Sequence, residues 1–372
     1  MNMKKFALVL LTAALVSCGG GDNGPAPGSE DFTTRFSAQV SFGDSLADVG
    51  TYAVGAVAAL GGGRFTINGD NTARSPDLTG RNFTELLAAQ FRLPAPCPAQ
   101  TGLQGDPARN LRVAVTNHAG CFGYAQGGAR VSTPAGAGNG RDDASIGLLM
   151  LPVTAQVGNH LAVSGDRFQG SEIVFVTAGS NDVLAELEAL AAGAAAAGSA
   201  EAASSYLLAN APLAIARVAR AAEELSVLVR TQVVGKGANH VVVNNVPDIA
   251  ATPLGQGQSA SLRQLLTTMV TTFNNQLSAG LAGEDKVLLV DLYTLTREQA
   301  ANPAAYGLAN TTTPACLQNA FGGSALACNG GNIVPAPDVG RYMFADSLHP
   351  TPYTQALAVR HILAQMMIKG WI

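Results

Sequence analysis

The sequence predicts a three-layer α/β domain, with helices on both faces of a mainly parallel central sheet. Two observations carry this. Short segments at 171–177, 240–246 and 286–291, each with an unbroken apolar centre (Ile173–Val176, Val241–Val243, Val287–Val290), have the length and branched content of strands buried on both faces. Long stretches of helical periodicity separate them, at 201–234 and 262–281, and strands that alternate with helices build parallel sheets through crossover connections. With 372 residues, 47% of them hydrophobic, the chain can bury a large core, and residues 35–372 are expected to form one domain.

Residues 1–17 stand apart. Lys4-Lys5 precede an apolar run from Phe6 to Val16 that is too short to span a bilayer, so the segment reads as a signal peptide. The following Leu15-Val16-Ser17-Cys18 resembles a bacterial lipobox, which makes Cys18 the expected lipidated N-terminus and residues 18–34, rich in Gly and Pro, a flexible tether. Gly19, in place of an aspartate, points to the outer membrane. The alternative is an ordinary secretory signal with a periplasmic or secreted product.

Beyond the tether, a first strand is expected at 35–42. A polar, glycine-rich loop follows at 61–81, then a helix at 82–91 with Phe83, Leu86, Leu87 and Phe91 on one face. Residues 94–110 read as a Pro/Gly loop, 111–115 as a short strand, 132–145 as another loop and 148–163 as a helix. The Ala-rich segment 183–200 reads as two short helices or a mobile lid. Within 201–234, Ala214, Val218, Ala221, Leu225 and Leu228 supply a core face, and Pro212 is expected to interrupt the helix or start its second half. The last helix is expected at 353–369.

Composition excludes some functions. The net charge is -4, only 13% of residues are charged, and no basic block exists to grip phosphates, so nucleic acid is not an expected partner. Gly61-Gly62-Gly63 and Gly127-Gly128 lack the spacing of a phosphate-binding loop. The five cysteines show no metal spacing, and neither metal nor cofactor is expected. Export permits disulfides among Cys97, Cys121, Cys316 and Cys328. Three pairings are possible; the local one, Cys97 with Cys121 and Cys316 with Cys328, is expected because each pair brackets a polar or Gly-rich loop.

Two segments carry chemistry. In Val40-Ser41-Phe42-Gly43-Asp44-Ser45-Leu46-Ala47-Asp48, an apolar run ends in a small-residue turn with Ser45 at its tip. Open α/β sheets place their chemistry there, at the C-terminal ends of strands. A serine needs a base, and there are five histidines. His160 reads as a helix C-cap, His240 as a strand-edge residue and His361 as structural, while His118 stays a candidate for the cleft. His349 differs: it lies in Asp346-Ser347-Leu348-His349-Pro350, where one short turn can present both base and carboxylate.

Four blocks in order resemble the SGNH, or GDSL, hydrolase superfamily. They are Gly43-Asp44-Ser45-Leu46, Gly123-Tyr124-Ala125-Gln126-Gly127-Gly128-Ala129, Gly179-Ser180-Asn181-Asp182 and Asp346-Ser347-Leu348-His349-Pro350-Thr351. Val243-Asn244-Asn245-Val246-Pro247-Asp248 resembles the superfamily's later strand and turn, while Asp291-Leu292-Tyr293 and Asn302-Pro303-Ala304-Ala305-Tyr306-Gly307 resemble its bacterial branch of secreted esterases, haemolysin-like phospholipases, acyltransferases and autotransporter esterases. The resemblance implies a flavodoxin-like fold and a catalytic triad of Ser45, Asp346 and His349. It also implies an oxyanion hole from the amides of Ser45 and Gly128, with Gly127 as the register-shifted alternative, and the carboxamide of Asn181. Asp44 and Asp48 read as scaffold. Two departures stand out. Gly123 replaces a frequent asparagine, and Ala345 replaces a bulky aromatic, which is expected to widen a pocket wall. No stretch after the last helix resembles the barrel of an autotransporter, so lipid anchoring through Cys18 is the expected membrane attachment.

The expected activity is hydrolysis of uncharged short- to medium-chain acyl esters through an acyl-enzyme, by a monomer. A phospholipase, a lipid acyltransferase and a non-catalytic surface lipoprotein are the alternatives.

Overall fold

A computed structural model describes residues 34–134 and 146–372. The expected signal peptide, Cys18, nearly all of the tether and most of the loop at 132–145 lie outside the described residues. The described strands are β1 (Gln39–Gly43), β2 (Gln100–Gln104), β3 (Arg112–Asn117), β4 (Ile173–Thr177), β5 (His240–Asn244) and β6 (Val287–Val290). The main helices are α1 (Phe83–Gln90), α2 (Val153–Ser164), α3 (Ser180–Ala196), α4 (Ala200–Leu228), α5 (Ala260–Leu281), α6 (Leu292–Ala301) and α7 (Pro352–Lys369).

β1, β4, β5 and β6 form a sheet in the order β1-β4-β5-β6, and every pair is parallel. Because successive strand residues face opposite ways, each apolar run serves two cores. Val174, Val176, Val241 and Val243 pack with α2, α3, α4 and α5 on one face. Ile173, Phe175, Val242 and Val290 pack with α1, α6 and α7 on the other. This is the three-layer arrangement the sequence predicts.

The outer edge of β1 is covered. The Ser41 amide donates to the Phe122 carbonyl at 3.0 Å, and the amides of Tyr124 and Gln126 donate to the Ser41 and Gly43 carbonyls at 2.8 and 3.0 Å. Open edges recruit other strands, so this cover also protects the sheet. The Cys97–Cys121 disulfide, with Cα atoms 5.1 Å apart, ties down the start of the covering segment. The second disulfide joins Cys316 and Cys328, Cα atoms 5.8 Å apart. Both pairings are the local ones.

Several elements differ from expectation. The stretch 94–110 is not all loop: β2 lies in it and pairs antiparallel with β3, outside the main sheet. Segment 183–200 forms most of α3, a continuous helix that buries Leu184, Leu187 and Leu190, rather than a lid. Gly193 is accommodated because the Tyr206 ring of α4 packs where its Cβ would stand. Pro212 sits inside α4 without breaking it. Its ring removes the amide that would bond Leu208, a residue exposed on the helix surface. The expected face of α4, from Ala214 to Leu228, is buried. α6 was hidden to the periodicity argument by its short length, although Asp291 caps it, accepting the Thr294 amide at 3.0 Å.

Candidate active site

β1 ends at Gly43, whose φ of 146° and close approach to β4 exclude a side chain: a Cβ there would stand 2.1 Å from the Thr177 carbonyl oxygen. The chain turns at once, and the Asp44 amide donates to the same carbonyl at 3.1 Å. Ser45 therefore stands at the C-terminal end of the sheet, buried but lining a pocket.

The other half of the site is the loop before α7. Thr351 caps that helix and Pro352 opens it, so the chain is extended just upstream. The Ala345 amide donates to the His349 carbonyl at 2.7 Å, which closes the loop. Inside it, Asp346 Oδ1 accepts the amides of Leu348 and His349 at 2.9 and 2.7 Å, and Oδ2 accepts the Ala325 amide at 2.8 Å. The carboxylate is thus held in place before it meets the ring. His349 Nδ1 lies 2.8 Å from Oδ2, and Nε2 lies 2.9 Å from Ser45 Oγ. Three side chains drawn from two ends of the chain form one hydrogen-bonded line. Burial acts to raise the Asp346 carboxyl, but the charge and hydrogen bonds of His349 and the Ala325 amide outweigh it and hold the group at about 2.

The second block lies beside this line. Asp48 Oδ1 accepts the amides of Gly50 and Thr51, and Oδ2 accepts the Gly127 amide at 2.9 Å. The Gly127 carbonyl accepts the Tyr52 hydroxyl at 2.9 Å. Gly127 is committed, whereas among the described residues the amides of Ser45 and Gly128 have no acceptor. Gly128 adopts φ 83°, and the Met150 side chain fills the place of its Cβ, 2.6 Å away. Asn181, in the first turn of α3, lines the same pocket as Ser45 and donates one N–H to the Ala129 carbonyl at 2.9 Å. That bond leaves its second N–H available and ties it to the residue after Gly128.

The remaining histidines stand elsewhere. His118 bonds Thr101, with Nε2 2.8 Å from the hydroxyl, and does not line the pocket. His160 is not a helix cap. It is buried among Phe42, Phe122, Tyr124 and Phe168, and burial pushes its imidazole down to about 4. His240 packs between Phe36 and Trp371. His361 lies on α7 at a separate surface hollow with Tyr306, whose hydroxyl donates to Glu298 at 2.9 Å, so Tyr306 packs its own loop. Among the described residues no cluster of His, Cys, Asp or Glu has the arrangement to hold a metal, and no helix is long and apolar enough to cross a membrane.

The pocket at Ser45 runs between α1, α6 and α7. Leu46, Phe83, Ile249, Leu292, Leu295, Met343 and Ile362 supply apolar wall, with Gln299 and Gln355 among them. Ala345 is not part of it. The residue is fully buried against Ile67, Leu78 and the Cys316–Cys328 disulfide, so the expected widening of a pocket wall is overturned: a larger side chain there would press into a filled core. The α6 contribution escaped the sequence reading. The spacing Leu292, Leu295, Gln299 along one helix face was the available signal.

Asp44 is fully buried beneath the serine. Its Oδ1 accepts the Leu46 amide at 3.0 Å, and among the described residues its Oδ2 has no hydrogen-bond partner. Burial pushes the carboxyl up to about 7. A carboxyl raised on folding stabilises the protein below the unfolded value near 3.8, and that stability is lost as pH rises through 7. Asp44→Asn is therefore expected to raise Tm over the parent at pH 8, by a margin that shrinks toward pH 5. Thermal melts across that range check it; a margin that grows toward acid contradicts the burial argument.

Comparison with known proteins places the chain. It is similar to the esterase EstA of Pseudomonas aeruginosa, 33% identical over 124 residues, which are 32% of this chain and 18% of that protein. It is also similar to the anther-specific proline-rich protein APG of Arabidopsis thaliana, 27% identical over 128 residues, 32% of this chain and 24% of that one. The chain thus spans less than a quarter of the length of these relatives. An extracellular lipase from Streptomyces rimosus, a solved structure, aligns over 89% of this chain and 99% of its own with 14% identity and a TM-score of 0.38. The family model of the GDSL-like lipases and acylhydrolases matches residues 40–362, and with that match spanning all four sequence blocks, the chain belongs to this family of the SGNH hydrolase superfamily.

Proposed function

We propose that the protein is a serine carboxylic-ester hydrolase that acts through an acyl-enzyme on uncharged esters of short to medium acyl chain. The observation that carries this reading is the line Asp346–His349–Ser45, bonded at 2.8 and 2.9 Å and opening on an apolar pocket. His349 Nε2 takes the proton as Ser45 Oγ attacks the ester carbonyl. Asp346 holds the ring in the tautomer that leaves Nε2 free to accept, and stabilises the imidazolium that forms. The amides of Ser45 and Gly128 and the Asn181 carboxamide receive the developing oxyanion. One such donor contributes about 3–4 kcal/mol, because it is aimed in advance at charge that appears only in the transition state. His349 then protonates the leaving alcohol, and water activated by the same ring releases the acid.

Neutral substrate follows from the walls: among the described residues no Lys, Arg, Asp or Glu lines the pocket. Chain length follows from α7. Thr354 and Ile362 both line the pocket, and eight residues of helix span about 12 Å. Two disulfides favour an oxidising compartment, and export with attachment through Cys18 is part of the proposal.

A panel of aryl and alkyl esters of increasing length, a phospholipid and a polyester tests the reading, with Ser45→Ala as the blank. We expect Ser45-dependent rates to peak in the short to medium range. A dominant rate on long-chain phospholipid would replace this reading with a phospholipase, and acyl transfer to an added alcohol that outruns hydrolysis would replace it with an acyltransferase.

A further inference from the structure

The pocket under Ser45 is mostly apolar, and its walls leave some donors unanswered. Gln299 and Gln355 both line it and are only 2% and 3% exposed. Gln355 Oε1 accepts the Phe83 amide at 3.2 Å, which fixes how the carboxamide is turned and leaves Nε2 for another partner. Among the described residues the Nε2 atoms of both find no acceptor. Buried donors are almost always paired, and an unpaired one costs about 1–3 kcal/mol. Neighbouring polar groups do not share this condition. The hydroxyls of Thr252, Thr296 and Thr354 donate to the Ile249, Leu292 and Met343 carbonyls at 2.7, 2.8 and 2.8 Å.

The two glutamines are spaced along the pocket. Gln355 is in the first turn of α7, close after the His349 loop, while Ala358 and Ile362 lie about one and two turns further along the same wall. Gln299 lies about two turns along α6 from Leu292, roughly 10 Å of helix. With no charged side chain in the walls, the group that complements these donors is a neutral oxygen acceptor, not a carboxylate or phosphate.

We propose that this pocket is the acyl subsite and that it selects acyl chains carrying an in-chain neutral oxygen, as in oxoalkanoyl and hydroxyalkanoyl esters and their oligomers. The proposal rests on Ser45 as the nucleophile and specifies the acid half of the substrate. A plain alkyl chain of equal length fills the same walls but leaves both N–H groups dry. An oxygen-bearing chain answers one or both.

The test compares methyl octanoate with a set of oxo-octanoate methyl esters in which the ketone moves along the chain. Two readouts run in parallel: kcat/KM of the parent enzyme, and binding to Ser45→Ala by calorimetry. At least one ketone position is expected to favour the oxo ester about tenfold or more, the worth of one answered buried donor. Gln299→Met and Gln355→Met are each expected to erase the advantage of a different ketone position. Gln355→Met strips the Phe83 amide of its acceptor; if it fails to fold, Gln299→Met carries the test alone, since no hydrogen bond depends on its Nε2. Ser45-dependent turnover of all chains alike, or an oxo preference that survives both substitutions, overturns the subsite while sparing the hydrolase. Oxo-selective binding to Ser45→Ala without turnover by the parent upholds the subsite and overturns the hydrolase.

Discussion

Ser45→Ala is expected to lower kcat on a short-chain aryl ester by about a millionfold, and His349→Ala by about as much, with the double variant scarcely worse than either. The geometry gives the reason. Among the described residues the Ser45 hydroxyl has one candidate base, His349 Nε2 at 2.9 Å, and the other histidines lie outside the pocket. Without the base the serine is a neutral alcohol; without the serine the base has no nucleophile to activate. Two groups that act as one unit cannot have additive losses. Kinetics of the two single variants and the double, with circular dichroism to show that each is folded, form the cycle. Losses that multiply would mean that the two side chains act separately, and the line of hydrogen bonds would lose its catalytic meaning.

The second large effect is expected at Asp346. Asp346→Asn should cost about ten-thousandfold in kcat, because an amide N–H facing Nδ1 favours the tautomer that places the ring proton on Nε2, where it must be absent for attack. The same change should also destabilise the fold, unlike a change at Ser45. The carboxylate accepts amides from Leu348, His349 and Ala325 as well as the ring, and asparagine keeps only one acceptor oxygen. A buried amide left without an acceptor costs about 1–3 kcal/mol. The sign of the pH dependence follows. A carboxyl held at about 2 in the fold stabilises it above its ordinary value of 3.8, and that stability disappears as pH falls through 2. The Tm gap between parent and variant is therefore expected to be full at pH 7 and to close in acid. A gap that is constant with pH would show that Asp346 carries no such linkage.

The legible parts of this molecule are those set by local sequence. Valine-rich apolar stretches within Ile173–Thr177 and His240–Asn244 announce strands buried on both faces, and both are in the sheet. Ser45, His349 and Asp346 announce themselves through small-residue turns beside strand and helix ends, and they meet. What escaped depends on partners distant in the chain. β2 has no apolar alternation because only Gly102 and Leu103 are buried in it, and antiparallel pairing with β3 creates it. Ala345 looked like a pocket wall because it adjoins Asp346. Its neighbours are Ile67, Leu78 and a disulfide, which no local pattern reveals. Pro212 looked like a break because a proline costs a hydrogen bond; the packing of Ala214 through Leu228 into the core shared with α3 and α5 holds the helix together regardless.

The line from Ser45 to His349 closes a separation of 304 residues. During synthesis the proposed nucleophile emerges 304 residues ahead of its proposed base. β1 cannot pair in the main sheet until β4 exists, 134 positions later by the Gln39–Ile173 register. Contacts of such range form late, because closing a long loop must precede the gain. On the proposed function, a nascent or threaded chain is therefore hydrolytically silent, and activity marks the moment when the two halves of the site meet. An enzyme that attacks esters is thereby harmless in the compartment where it is made if it leaves that compartment unfolded. Ester turnover becomes a clock for the final folding step, readable without any probe beyond the substrate.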